Sequence, residues 1–493
     1  MDLQFRKRSL PCIKELVSQC KEQELTQEVR LPDGLPDIGR VIGTWGQLLI
    51  RGKEWRQNNV GISGGVMAWV LYEPEDGSKC QVVETWIPFS MKMDISGTGQ
   101  DGSITAIGNV SYQDARTVSA RKFMLRMGIC MDIQVHAPTD IDLFEPGDLP
   151  KHIQLKKSSY PMKLPAEIGE KTFSLEEQIP LPENFTGFNR IIRHSLDPEI
   201  VELKVLGGRL VFRGIALVHI LYECADEKLC SLDVEVPFSQ FTELDHEYEE
   251  GADATMYPVI SNLEIEMGEE NSTVLKASMT GQYIIFGRHM IDVIEDAYSI
   301  NTDTNLQTQQ LELPVILQEE SQRICADAEF DIQNGRMVDC DFVFNHSSNR
   351  HGDEPMIEGR FYILFYDHEG KLQNAHIKWE HSPVEYLGGS EVKLHATPAG
   401  KVCIKDDRIV CVRADIKTIA QCFSMQGINM ITGIESFEKE GNKKKPNLIL
   451  QKAGDEDIWS IAKHNDSSVE AICSANNISG DVDFDRILII PVL

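Results

Sequence analysis

From Leu232 to Val236 apolar and acidic residues alternate one for one, with Leu232, Val234 and Val236 set against Asp233 and Glu235. A period of two places one face in a core and the other in water, which is the signature of a half-buried strand. The preceding stretch, Ile215 to Tyr222, is apolar on both faces except for His219, so it is expected between layers or at a contact between domains. Further strand-like runs cover Thr117 to Val135, Val274 to Ile294 and Arg408 to Met425. Pro88 and Pro237 end outgoing strands because proline cannot donate to a ladder. Glu75-Asp76-Gly77 and Glu369-Gly370 carry residues suited to hairpin turns. Helix is expected only in an N-terminal segment, residues 1–29, and near the C-terminus.

The strand pattern repeats. GGVMAWVLYEPEDGSKCQVVETWIPFS (Gly64 to Ser90) and RGIALVHILYECADEKLCSLDVEVPFS (Arg213 to Ser239) share an apolar run into Leu-Tyr, a polar turn, an alternating stretch and a closing Pro-Phe-Ser. A weaker third copy runs from Glu358 to Pro383 around Tyr366. Tyr72 and Tyr222 lie 150 positions apart, a domain-sized offset. The fold class expected is mainly β: three tandem sandwich or barrel-like domains at 30–150, 165–300 and 305–437, a linker at 438–446, and a small module at 447–493.

Several elements carry a family resemblance: Leu35-Pro36-Asp37-Ile38, Gly207-Gly208-Arg209-Leu210-Val211-Phe212-Arg213-Gly214, the Leu-Tyr hairpins and Ser119-Ala120-Arg121-Lys122. Together they resemble the SPOCS-type β domain of SipL-like spore-coat morphogenesis proteins. The resemblance implies a protein of the mother-cell cytoplasm, at the forespore surface, whose partner is the morphogenetic ATPase of the coat basement layer.

After Asn447 the period changes. Leu448-Ile449-Leu450 opens a strand; Ile458, Trp459, Ile461 and Ala462 follow at helical spacing; Val469, Ile472 and Cys473 repeat that spacing; and Ile487 to Pro491 closes as strand. Ser467 or Ser468 suits a helix N-cap, with Glu470 in the first turn. Gly454-Asp455, Trp459-Ser460-Ile461-Ala462, Val469-Glu470-Ala471-Ile472, Ala475-Asn476-Asn477-Ile478 and Ile490-Pro491 stand in the order of the LysM family, which this βααβ unit resembles. That family binds N-acetylated glycans through the loops corresponding to Gly454–Ile458 and Asn477–Phe484. Here the first loop is acidic, Asp455-Glu456-Asp457, and Asp483-Phe484-Asp485-Arg486 replaces the family's Pro-Gly-Gln. The candidate partner- or glycan-binding residues are Asp455, Asp457, Ile458, Asn477, Ile478, Asp483 and Phe484. A protein partner is favoured; peptidoglycan is the alternative, and self-association through exposed strand edges is a further reading.

Charge narrows the partners. The chain of 493 residues carries 77 acidic against 48 basic side chains, a formal net charge of −29. Its mean field repels phosphate backbones, so nucleic acid is not expected. No apolar run reaches the roughly 20 residues that span a bilayer, and no secretory core follows the first basic residues. The twelve cysteines are scattered without a C-x-x-C pair and read as reduced thiols.

No catalytic motif, cofactor or metal is expected. Gly97 to Gly102 matches G-x-G-x-x-G but leads into strand rather than helix. Gly61 to Gly65 matches G-x-S-x-G and reads as a glycine-rich turn. Asp481 to Asp485 begins like a calcium loop, yet Arg486 and Val492 stand where glycine and glutamate are needed. His346, His351 and His368 lie in polar stretches and are expected to be exposed.

Overall fold

The computed structural model describes the chain except residues 1, 57, 96–101, 180–187, 268–272, 334, 348–354, 384–390, 406–408, 439–445, 453–455 and 479–486. It is mainly β. A short β1 (Asp2–Gln4) precedes β2 (Arg6–Arg30), β3 (Ile38–Arg56), β4 (Asn59–Pro74), β5 (Gln81–Asp94), β6 (Ser103–Ser119) and β7 (Lys122–Glu145). These last six form two antiparallel sheets, ordered β2-β7-β6 and β3-β4-β5. The next six are β8 (Ile153–Gln178), β9 (Arg190–Leu206), β10 (Arg209–Glu223), β11 (Leu229–Glu243), β12 (Ala254–Met267) and β13 (Thr273–Ser299), and they pair as β8-β13-β12 and β9-β10-β11. Then β14 (Thr302–Asp331), β15 (Arg336–Ser347), β16 (Met356–Tyr366), β17 (Leu372–His381), β18 (Glu391–Lys405) and β19 (Ile409–Glu438) pair as β14-β19-β18 and β15-β16-β17. One pairing order thus occurs in three successive groups of six strands.

Each group buries its own core, and the groups share another. Val218, Ile220 and Tyr222 of β10 face the core of their own group. Leu221, one residue out of phase, faces a cluster with Ile42, Trp45, Trp69 and Leu71 from the first group and Val338, Leu364 and Leu372 from the third. The strand apolar on both faces therefore serves two cores, because successive side chains point to opposite sides. β7 does the same: Ile129, Met131, Ile133 and Val135 enter the first core, while Cys130, Asp132, Gln134 and His136 are buried on the other face.

The motifs of the first group meet at one corner. The Arg121 guanidinium donates to the carbonyl oxygens of Pro32 and Leu35 and pairs with Asp37 at 3.1 Å, and the Tyr72 hydroxyl donates to the Pro36 carbonyl at 2.9 Å. Leu-Pro-Asp-Ile, the Leu-Tyr hairpin and the Arg-Lys element are thus a structural clamp.

The C-terminal residues form β20 (Leu448–Lys452), α1 (Ile458–His464), α2 (Val469–Asn476) and β21 (Ile487–Pro491), with β20 and β21 antiparallel. Ile461, Ala462, Ile472, Leu488 and Ile490 pack with Tyr298 and Ile300 from the end of the second group.

Five expectations are corrected. Pro88 and Pro237 do not end strands but lie inside the edge strands β5 and β11, opposite Gly65 and Ile215. Residues 1–29 form strand, not helix: Arg6 to Arg30 pairs with Glu145 back to Lys122, and β7 would otherwise present an unmatched row of backbone donors and acceptors. The first two groups consequently begin at Arg6 and Ile153, earlier than residues 30 and 165. Gly61 to Gly65 is no turn but lies inside β4. Cys224 and Cys230 are not free thiols: the β10–β11 hairpin brings them together as a disulfide. The Gly97–Asp101 and Asp481–Asp485 segments lie outside the described residues.

The glycines of β4 differ in what they allow. A Cβ on Gly64 would stand 2.1 Å from the Leu49 carbonyl oxygen, whereas one on Gly61 meets nothing within 4 Å. Gly64→Ala is expected to lower the urea midpoint by the equivalent of about 1–3 kcal/mol, and Gly61→Ala to leave it within about 0.5 kcal/mol. Equal midpoints for the two variants would show that the β3–β4 spacing is not as described.

Candidate functional site

Two regions concentrate polar chemistry: the terminal module and a cavity where the three groups meet. In the module, Asp457 caps α1, its carboxylate accepting from the Ser460 amide at 2.9 Å and from Lys156 of β8 at 3.2 Å. The Ser460 contact, aided by Lys156, holds the Asp457 carboxyl below the usual range. Asn477 ends α2 in the left-handed region, φ 51°, where asparagine is one of the few tolerated residues. Ile458 and Ile478 pack against the module core. Four of the seven expected contact residues are thus also framework. Asp455, Asp483 and Phe484 lie outside the described residues, so their convergence with Asp457 and Asn477 is not described.

The module is clasped to β13. Trp459 Nε1 donates to Asp296 at 2.7 Å, Lys463 pairs with the same carboxylate at 2.8 Å, and the Tyr298 hydroxyl donates to the Ser467 carbonyl at 2.8 Å. Tyr298 and Trp459 also meet edge to face at 4.9 Å. One face of α1 is therefore engaged within the chain, next to the loop expected to bind a partner.

The cavity is about 1590 Å³ and is lined by all three groups, among them Cys20, Asp132 and His136, then Tyr257 and Ile284, then His346, Lys393 and His395. None of the four described contact residues, Asp457, Ile458, Asn477 and Ile478, lines it. Cys20 of β2 stands opposite Asp132 of β7 in register, and the period of two puts Cys130, Asp132 and Gln134 on one face. Two histidines of the third group meet that face: His346 Nε2 lies 2.6 Å and His395 Nδ1 3.2 Å from one Asp132 oxygen. The Gln134 amide donates to His395 Nε2 at 2.9 Å, leaving Nδ1 to donate to Asp132.

His346 is 5% exposed, so the expectation of an exposed histidine is corrected: the third group docks it onto Asp132. His368 is exposed, and His351 lies outside the described residues. Burial works to raise Asp132, but His346 and His395 overcome it and hold the carboxyl well below the ordinary range. Burial likewise opposes charge on His346, and Asp132 prevails, raising it to about 9.

Cys20 Sγ lies 3.0 Å from Cys130 Sγ; that contact, with burial, pushes the Cys20 thiol up, and the same contact pulls Cys130 down against its burial. A nucleophilic cysteine needs a neighbour that takes its proton or stabilises its thiolate, and an imidazole is the nearest such group in this pocket. Here the Cys20 thiol instead donates to the backbone carbonyl of His346, and His346 Nε2 faces Asp132, so the set does not form a thiol–imidazole couple.

A second buried cluster fastens the second group to the third. Arg193, 2% exposed, donates to Asp339 at 2.8 Å and Asp341 at 3.4 Å and lies over the Trp45 ring of the first group. His219 bridges Asp233 at 2.6 Å and Asp339 at 2.9 Å. Gln113 of the first group donates to Asp341 at 2.9 Å.

Sequence reasoning missed Cys20, Asp132, His346 and His395. The one signal available was the polar series Asp132, Gln134, His136 alternating with Met131, Ile133 and Val135, a face that reads as solvated until other groups cover it.

Residues 189–268 match the family model described as SipL, SPOCS domain. The span takes in β9 to β12, including the Gly207–Gly214 hairpin and the second Leu-Tyr motif. Over this stretch the chain is similar to that family, which points to a sporulation-related protein. No curated protein matches the chain. No solved structure matches it. Among the described residues no helix is long and apolar enough to cross a membrane.

Two outcomes follow from the Arg193 cluster and its neighbours. Arg193→Met would leave Asp339 and Asp341 buried without their guanidinium, an expected loss of about 3–5 kcal/mol in urea unfolding. His219, facing Asp233, Asp339 and Arg193, is raised from 6.5 to about 9: burial and Arg193 oppose its charge, but the two carboxylates prevail. Its stabilisation is full below pH 6.5 and disappears as pH rises through about 9. His194, against Trp69 and beside Arg193 and Glu264, is lowered to about 4, chiefly by burial. Its share is present above pH 6.5 and is lost as pH falls toward 4. Melting temperatures of wild type and His219→Asn should differ most near pH 6 and converge above pH 9; a constant gap would refute the assignment.

Proposed function

We propose that the chain is a non-catalytic adaptor in spore coat and envelope assembly. Three tandem SPOCS-type domains form its body, and a LysM-like module at the C-terminus makes the protein contacts that join the coat basement layer to the forespore surface. The observation that carries this reading is the match over 189–268, which falls on strands whose pairing order recurs in the other two groups. The partner is the basement-layer ATPase that the resemblance implies, and the site of action is the mother-cell side of the forespore. The acidic first loop supports a protein partner over glycan, since anionic muropeptides gain nothing from more carboxylates. The clasp of Trp459, Lys463 and Tyr298 around Asp296 and Ser467 supports a module presented in a fixed orientation.

The test is binding of full-length protein to the purified ATPase and, separately, to insoluble peptidoglycan. Association with the ATPase is expected, weakened at least tenfold, or about 1.4 kcal/mol, by the double charge reversal Asp455→Lys, Asp483→Lys. Sedimentation with peptidoglycan in the absence of any ATPase binding would overturn the adaptor in favour of a wall-binding protein.

A further inference from the structure

The Asp132 pocket contains more donor chemistry than docking of strands requires. Asp132 is a buried carboxylate whose described ionic partners are imidazoles rather than Lys or Arg. A carboxylate in such a place needs a positive partner or a metal. One ligand atom each from Cys20, Asp132 and His346 lie within 4.8 Å of one another. His346 Nδ1 is buried and has no hydrogen-bond partner among the described residues.

Sulfur, imidazole nitrogen and carboxylate oxygen are the ligand types zinc accepts, at about 2.3, 2.0–2.1 and 2.0–2.2 Å. Tetrahedral coordination at those lengths sets ligand atoms roughly 3.3–3.8 Å apart. The 2.6 Å His346–Asp132 contact has to open slightly and the Cys20 sulfur has to draw in, both small side-chain movements.

We propose that Cys20, Asp132 and His346 bind a zinc-type divalent cation at the wall of the central cavity, joining the first group of strands to the third. The Cys20 thiol gives up its proton and His346 frees Nε2 of the proton it holds towards Asp132, both passing to solvent as the metal bonds form, so no oxidant or reductant is involved. The cavity, which all three ligands line, leaves room for a solvent oxygen in the fourth position. His395 is a positioning residue: its Nδ1 donates to the Asp132 carboxylate and holds it in place, as outer-shell partners of metal ligands do. The assignment does not rest on the adaptor reading, and the two fail independently.

The test uses the full chain, reduced and stripped with chelator, titrated with Zn²⁺ and, as a spectroscopic probe, Co²⁺. One equivalent is expected to bind, with a thiolate-to-cobalt absorption band that Cys20→Ser abolishes. Cys20→Ser and Asp132→Asn should each weaken Zn²⁺ binding about 100-fold or more, and Cys80→Ser, away from the pocket, should leave it unchanged. Should the variants fold poorly, alkylation of Cys20 in the wild-type chain, read by peptide mass spectrometry, gives the same answer: Zn²⁺ is expected to slow it at least tenfold. No stoichiometric binding, wild-type affinity in Cys20→Ser, equal alkylation with and without Zn²⁺, or a Cys20–Cys130 disulfide persisting in reductant would each overturn the site.

Discussion

A strand buried on both faces cannot leave a polar side chain to water, and that constraint organises this protein. β7 and β10 each carry one apolar face into their own core and a second face into a contact between groups. Whatever polar residues occupy the second face must be satisfied by another group of strands. Asp132 is met by His346 and His395, and His219 by Asp339. The contacts between groups are therefore specific as well as adhesive: the shared apolar cluster supplies area, and the polar sets fix which group meets which.

How much was legible in the sequence follows from the same geometry. Alternation at 232–236 and the two-faced stretch at 215–222 mark strands because side-chain period is a local property. The Leu-Tyr repeat was visible because Tyr72 and Tyr222 both fill the core of their own group while Leu71 and Leu221 both enter the shared cluster. Residues 6–30 misled because nothing within them shows that their hydrogen-bond partner is a distant strand, beginning at Lys122. His346 misled for a similar reason, since its neighbours in sequence are polar and its neighbours in space belong to the first group.

The terminal module combines two demands on few residues. Asp457 and Asn477 are helix caps, and Asn476 fixes α2 to β21 through paired hydrogen bonds with the Ile489 backbone. With a core this small, each cap is a large fraction of the module's own stability. The contact with Tyr298 and Ile300 adds apolar area that the βααβ unit lacks by itself. The module and the second group are thus one packing unit at their junction, although their sheets are separate.

β1 is only Asp2 to Gln4, yet it pairs with Gly433 to Glu435 of β19. During synthesis those three residues wait while roughly 430 further residues are made before their ladder can close. At roughly 5–20 residues per second that interval is tens of seconds, long after the first two groups of strands are complete. β1 is in this sense a late-tied thread, joining the first group to the third only once both exist.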